Sequence, residues 1–195
     1  YIPATIATWF EDQAPRFADR KIFIQHRGHS QYLCFGGDMT ALARELLGDP
    51  RGCADGMGGS ASIHSPAAGI FGHDGLMGTQ IPIAVGYCYA TRRPTVCFTG
   101  DAAAEEDYAL AAYGWAATHK LPILFVIEDN GLSILTEKRV RRSWELVDGV
   151  RGFGMFLSEF RNVDFDKLVK AIAAKYTQAR FLGAARAGKE VNGGS

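Results

Sequence analysis

Two short runs of nearly continuous apolar residues stand at the centre of the chain, Thr95-Val96-Cys97-Phe98 and Leu121-Pro122-Ile123-Leu124-Phe125-Val126-Ile127. Both are rich in β-branched residues, which is how strands buried on both faces of a parallel sheet read. Between them lies an Ala-rich stretch, 105–120, that predicts a helix. Residues 94–136 therefore read as strand, turn, helix, strand, turn. Such a βαβ unit crosses over right-handed. Its ligands are expected beyond the carboxyl ends of its strands, in the crevice where the turns meet.

The same pattern organises the rest of the chain. Residues 1–20 mix apolar and charged positions at helical spacing, with Phe10 and Phe17 on similar faces, and predict a helix on the sheet. Residues 21–25 read as a short strand. Leu42, Leu46 and Leu47 share a stripe over 39–48, a helix ended by Gly48 and the following Asp49-Pro50. Residues 51–75 are loop-like and dense in Gly, Ser, Ala and His; so long a loop in a small domain points to function. A helix is expected over 81–90. Residues 133–142 read as a basic loop and 143–153 as irregular helix. Leu168, Ile172, Ala173 and Tyr176 give 166–189 an amphipathic helical pattern, the expected last element, and the tail from about 189 reads as flexible. The predicted fold is a single α/β domain over 1–195, with a central, mostly parallel sheet flanked by helices.

Composition narrows the partners. The chain has 195 residues, with 21 Lys and Arg against 21 Asp and Glu, so its formal charge is zero. That leaves no electrostatic case for nucleic acid or a membrane surface. No apolar run approaches the roughly 18 residues of a membrane span, and no signal peptide is expected. Cys34, Cys53, Cys88 and Cys97 form no CxxC pair. They read as reduced thiols of a cytoplasmic protein, not as a disulfide or zinc framework.

Candidate chemistry gathers at the strand ends. Asp101 follows the first run at Gly100-Asp101-Ala102-Ala103-Ala104, and Asn130 follows the second at Glu128-Asp129-Asn130-Gly131. A charged and a neutral hard oxygen suit magnesium, which takes much of its shell from phosphate and water. The start of the Ala-rich helix would offer N–H groups and positive dipole to an anion. The alternative is an Asp capping a helix and an Asn in a turn. His26-Arg27-Gly28-His29 is an anion site or a solvated polar turn. His64 is a proton donor or orienting group, or simply a solvated loop histidine. Met77 by itself reads as core filler. Lys138, Arg139, Arg141 and Arg142 form a solvated face, a substrate entrance or a partner contact. A nucleotide-binding Rossmann reading is disfavoured, because the first turn lacks GxGxxG.

Gly100-Asp101, the helix and Asp129-Asn130 resemble the thiamine diphosphate motif, which opens Gly-Asp-Gly and closes Asn-Asn. The chain is similar to the alpha subunit of the first component of 2-oxo acid dehydrogenase complexes, of pyruvate, acetoin and branched-chain types, in a short variant. The family's Gly-Asp-Gly-Ala, Leu-Pro and Glu-Asn-Asn align without a gap on Gly100-Asp101-Ala102-Ala103, Leu121-Pro122 and Glu128-Asp129-Asn130. The resemblance implies a thiamine diphosphate-binding fold, with magnesium held by the side chains of Asp101 and Asn130 and the carbonyl of Leu132. It places Gly100, Asp101, Ala102, Ala103, Asn130, Gly75, Met77, Arg27 and His26 at the cofactor. His64, in Gly58-Gly59-Ser60-Ala61-Ser62-Ile63-His64, and more weakly His29, would be catalytic.

The implied activity is decarboxylation of a 2-oxo acid and transfer of the resulting acyl or aldehyde unit. The implied partner is a beta-type subunit carrying the pyrimidine-binding domain and the catalytic Glu, in a heterotetramer of two alpha and two beta chains. Without it the chain is expected to be inactive. Three departures stand out. Ala102 replaces the motif's second Gly, Asp129 replaces its first Asn, and the sequence ends before a further strand and a loop with catalytic His and Ser. A carboligase or decarboxylase not coupled to lipoyl transfer, and a non-catalytic assembly subunit, are the competing readings.

Overall fold

Alternate residues of the central strands enter two different cores. Ile22, Ile24, Val96, Phe98, Leu124 and Val126 face one side of the sheet, and Phe23, Cys97, Ile123, Phe125 and Ile127 face the other. This is the two-residue period of a strand covered on both faces. The computed structural model describes residues 20–72, 74–161 and 180–185.

In chain order the strands are β1 (Lys21–Phe23), β2 (Ile70–Phe71), β3 (Thr95–Gly100), β4 (Ile123–Asp129), β5 (Leu132–Ser133), β6 (Thr136–Glu137), β7 (Phe156–Arg161) and β8 (Arg180–Ala185). The helices are α1 (His29–Cys34), α2 (Met39–Leu46), α3 (Gln80–Thr91), α4 (Asp107–Thr118), α5 (Lys138–Arg141) and α6 (Leu146–Gly152), with a 3-10 turn at Ala103–Glu105. The main sheet runs β2-β1-β3-β4-β8-β7, and its pairings are parallel. β3 and β4 pair from Thr95 opposite Ile123 to Gly100 opposite Glu128. The expected α/β fold with a parallel sheet between helices is thus the fold observed.

Tyr32 of α1 and Leu42 of α2 cover one face, together with Phe35 and Ile63. α3, α4 and α6 cover the other. The small side chains of Ala109, Ala112 and Ala116 line the buried side of α4 and let its backbone lie close to the sheet. Tyr113 adds the bulk, meeting Phe125 edge to face with centroids 4.8 Å apart. α2 starts where Asp38 accepts a hydrogen bond from Ala41 N–H, and the chain turns away at Gly48, whose φ is +72°. The four cysteines are free, and burial pushes the Cys88 thiol up to about 11. No described helix is long and apolar enough to cross a membrane.

Several expectations need correction. The helix expected over 166–189 fails at Arg180–Ala185, which is β8, inserted between β4 and β7. This Gly- and Ala-containing segment has no β-branched residue, so pairing with β4 overrides its local preference. β7 also follows where the sequence signalled no strand. β2 lies inside the long loop expected over 51–75. The helix expected from 105 begins at Asp107, because Glu106 is extended after the 3-10 turn. The basic loop over 133–142 contains the hairpin β5–β6 and the single turn α5. The helix expected over 1–20, the remainder of 166–189, and the tail lie outside the described residues.

Candidate active site at the carboxyl edge

Because β1, β2, β3 and β4 are parallel, the turns that follow them emerge on one edge. Asp101 lies one position beyond the last residue of β3, and Asn130 one beyond that of β4. Gln25, after β1, accepts from Thr99 Oγ1 at 3.0 Å and from Gln80 Nε2 at 3.3 Å. This ties the ends of β1 and β3 to the start of α3. A Cβ on Gly100 would stand 2.9 Å from Gln25 Nε2 and would displace the end of that side chain. The turn with Gly75 and Met77 is held against the motif as well, since Tyr108 of α4 donates its hydroxyl to the Met77 carbonyl.

Gly78 has φ +88°, and a Cβ there would meet the Ala103 carbonyl at 2.8 Å. Gly78→Ala is expected to cost more than about 1 kcal/mol, from strain at positive φ and this clash. Thermal unfolding would read the loss, and no loss would mean that the turn moves freely from Ala103.

Asp101 is 3% exposed and caps neither helical segment. The guanidinium of Arg141 bonds it and also bonds Glu105. Arg142 faces Glu105 at 3.0 Å and Asp129 at 3.9 Å. Lys138 Nζ sits 3.0 Å from Asp129 and 3.3 Å from Glu145 at the rim. Burial, and next the charge of Asp129, push the Asp101 carboxyl above its ordinary value, against the opposing pull of Arg141. Three bases here balance the three inner acids. Nothing in the local pattern signalled this, because a run of basic residues normally faces water. Only Arg139 does so, with 80% of its side chain exposed, against 13% for Arg141 and 3% for Arg142.

Asn130 is exposed, and its Oδ1 accepts from Leu132 N–H at 2.9 Å. This is the turn role weighed above, and it leaves a second lone pair on that oxygen. Leu132 opens β5. Asp129 accepts from Gly131 N–H at 2.8 Å, so the acid that departs from the motif is already neutralised by Lys138 and turn bonding. Ala102 and the buried Ala103 follow Asp101 in the short 3-10 turn, not at the head of a long helix.

The histidines are arranged by a part of the fold that local pattern did not show. Ile63, His64 and Ser65 run antiparallel beside β2 through the Ser65–Ile70 bridge, which carries His64 to the carboxyl edge. Gly72 N–H donates to His64 Nδ1 at 3.0 Å. That bond leaves Nε2 as the proton-bearing nitrogen of the neutral ring. His29 Nε2 lies 3.0 Å from Ser60 Oγ in the same loop. The loop itself is wrapped around the carboxylate of Glu45, which is 1% exposed. Its Oε2 accepts from Ala54 and Gly56 at 2.7 and 2.9 Å, and its Oε1 from Gly58 and Gly59 at 2.7 and 2.9 Å. A polar residue just before the end of an otherwise apolar helical stripe was the available signal. Arg27 stands exposed after β1 and has no ion-pair partner among the described residues, and His26 beside it is half-buried.

A sequence model described as the dehydrogenase E1 component matches residues 17–175. The chain belongs to the dehydrogenase E1 component family. It is 32% identical over 136 residues to the alpha subunit of a pyruvate dehydrogenase E1 component from Zymomonas mobilis, covering 67% of this chain and 38% of that one. It is 30% identical over 166 residues to the alpha subunit of an acetoin:2,6-dichlorophenolindophenol oxidoreductase from Cupriavidus necator, covering 82% and 50%. The chain thus spans half or less of the length of these two relatives. In fold it is similar to transketolase from Leishmania mexicana, with TM-score 0.69, 18% identity, and 94% of this chain and 31% of that chain covered. Transketolase from Campylobacter jejuni gives TM-score 0.66 at 18% identity, with 92% and 30% covered.

Proposed function

We propose that this chain is the diphosphate- and magnesium-binding subunit of a thiamine diphosphate-dependent enzyme that decarboxylates a 2-oxo acid and passes on the acyl or aldehyde unit. One observation carries the proposal: buried Asp101 and adjacent Asn130 stand at the carboxyl ends of parallel neighbours, with a cation, the Arg141 guanidinium, already on Asp101. The residues fit the absent groups. Asp101, Asn130 and the Leu132 carbonyl offer hard oxygens to magnesium. Among the described residues no three His, Cys, Asp or Glu side chains converge on a metal position. Phosphate and water oxygens would therefore complete the shell. Arg142 Nη1 is buried with no hydrogen-bond acceptor among the described residues, a donor suited to an anion beside the metal.

Thiamine diphosphate, when bound, supplies the carbanion nucleophile and electron sink for the decarboxylation. The chain's own residues orient it and manage charge. Gly100, Ala102 and Ala103 keep the backbone close to the diphosphate, and Gly75 and Met77 support the cofactor from the facing turn. His26 and Arg27 reach the diphosphate from the β1 turn. His64, protonated at Nε2, donates to substrate or product, and His29 acts on the Ser60 side of the same loop. The catalytic Glu and the pyrimidine-binding domain come from a beta-type partner, in a cytoplasmic heterotetramer.

Calorimetric titration of thiamine diphosphate with Mg2+, into the chain alone and with its co-purified partner, tests the assignment. Magnesium-dependent binding in the partnered state is expected. Absence of binding with the partner confirmed in complex would leave an assembly role instead. Arg27→Ala should weaken the measured affinity by about 1.5–3 kcal/mol, the worth of a hydrogen bond to a charged group. An unchanged affinity would place Arg27 outside the site.

A further inference from the structure

We infer that Arg141 is a built-in counter-ion that occupies Asp101 in place of the metal, so that metal binding and the Arg141–Asp101 pair are mutually exclusive. The inference rests on the proposed reading of Asp101 as a magnesium ligand and goes beyond it. It makes the occupancy of the site a competition between an external cation and one carried by the chain.

The geometry supports this in three ways. First, Arg141 is not a surface charge that happens to lie near Asp101. Its side chain is 13% exposed and that of Asp101 4%. A buried carboxylate without a counter-ion is strongly disfavoured, so something positive must stand there when no metal does. Second, Arg141 also holds Glu105. When a metal takes Asp101, the guanidinium keeps this second carboxylate and is not left unpaired. The exchange needs a local turn of the fork and a shift of α5. α5 is a single helical turn on the β5–β6 hairpin with no buried residue of its own, so the shift is opposed chiefly by the Lys138 ion pairs and by the buried Arg142 that follows it.

Third, the charges count out. Asp101, Glu105 and Asp129 face Lys138, Arg141 and Arg142, three against three, with Glu145 at the exposed rim also 3.3 Å from Lys138. A divalent cation entering alone would add two uncompensated positive charges beside the buried Asp101–Arg141–Arg142 cluster. Entering with a diphosphate, it would not, and the Arg142 Nη1 donor, which has no acceptor among the described residues, would face the anion. Metal and diphosphate should therefore bind together, each weak without the other. The displaced Arg141 is what makes the position of α5 depend on whether the site is filled.

The test uses Mn2+ as the paramagnetic substitute for Mg2+, with thiamine diphosphate present, on the protein in its native assembly. Free Mn2+ is read by its electron paramagnetic resonance signal. Arg141→Gln should bind Mn2+ about 5- to 150-fold more tightly than wild type, the usual range when a coupled competitor is removed. Its melting temperature should be lower than wild type without metal and should rise more on adding Mn2+. In Arg141→Ala, added methylguanidinium should refill the vacated place and weaken Mn2+ binding, with no such effect on wild type.

Affinity in both Arg141 variants equal to or weaker than wild type would overturn the inference. If Asp101→Asn abolishes Mn2+ binding at the same time, the metal assignment stands and only the competition falls. If wild type and all variants fail to bind Mn2+ with the cofactor present, the metal assignment falls and the inference with it.

Discussion

Glu45→Gln should destabilise the domain by about 3–6 kcal/mol at neutral pH. The amide keeps one acceptor oxygen but turns an NH2 group toward two of the four backbone N–H donors that now share the carboxylate. Two hydrogen bonds to a charged acceptor are lost, each worth about 1.5–3 kcal/mol. Glu45 is 1% exposed, so bulk solvent does not reach the carboxylate. Gly52 also packs against it, with a Cβ there falling 2.4 Å from Oε2, so the loop cannot simply slide. Urea unfolding would give the loss directly.

The pH dependence gives a second readout. Burial alone would raise the Glu45 carboxyl, but the four N–H donors outweigh it and hold the group below its ordinary 4.5. A depressed carboxylate contributes stability that is fully present above the unfolded value and is lost as pH falls through the folded one. Wild type should therefore lose this contribution on acidification below about 4.5, and Glu45→Gln should lack that part of the acid limb. Identical stability and identical acid limbs would mean that the loop does not depend on an ionised Glu45. The effect should reach His29 and His64 too, because Ser60 and the strand-like segment at His64 continue directly from the residues that Glu45 holds.

Asp101→Asn should weaken thiamine diphosphate–magnesium binding by about 2–5 kcal/mol, the scale of truncating one partner of a buried, hydrogen-bonded charge pair in a complex. The change keeps a hard oxygen and the side-chain shape, so what it removes is charge. It also strands part of the Arg141 guanidinium, which would retain Glu105 alone. Calorimetry on the assembled enzyme is the measurement, with thermal unfolding alongside to separate lost affinity from lost fold. Unchanged affinity in a folded variant would move the metal away from Asp101.

Much of this site was legible because it depends on order along the chain. The apolar runs around Val96 and Leu124 are short, and each ends in a polar motif, so a parallel pair with a helix between them followed directly. That arrangement forces Asp101 and Asn130 to the same edge whatever the rest of the chain does. The family resemblance drew on the same residues, and the match over 17–175 agrees with it. Glu45, Gln25 and Arg141 were not legible for the opposite reason. Each works through partners remote in sequence: Glu45 with backbone N–H groups of a loop, Gln25 with Thr99, and Arg141 with Asp101. No local period or spacing encodes such a pair.

β8 shows the same limit in the fold itself. Its residues carry weak strand preference, and their state is decided by the open edge of β4 that they cover. Asn130 shows it in the site, where the side chain makes a turn bond to Leu132 while standing where a metal ligand was expected. The sequence by itself determined the α/β class, the register-independent meeting of strand ends, and the residues that meet there. The tertiary structure decided which carboxylates are buried, which cation neutralises each, and which loop is wrapped around an anion. Those outcomes depend on distance and desolvation, and both are properties of the packed molecule and not of neighbours along the chain.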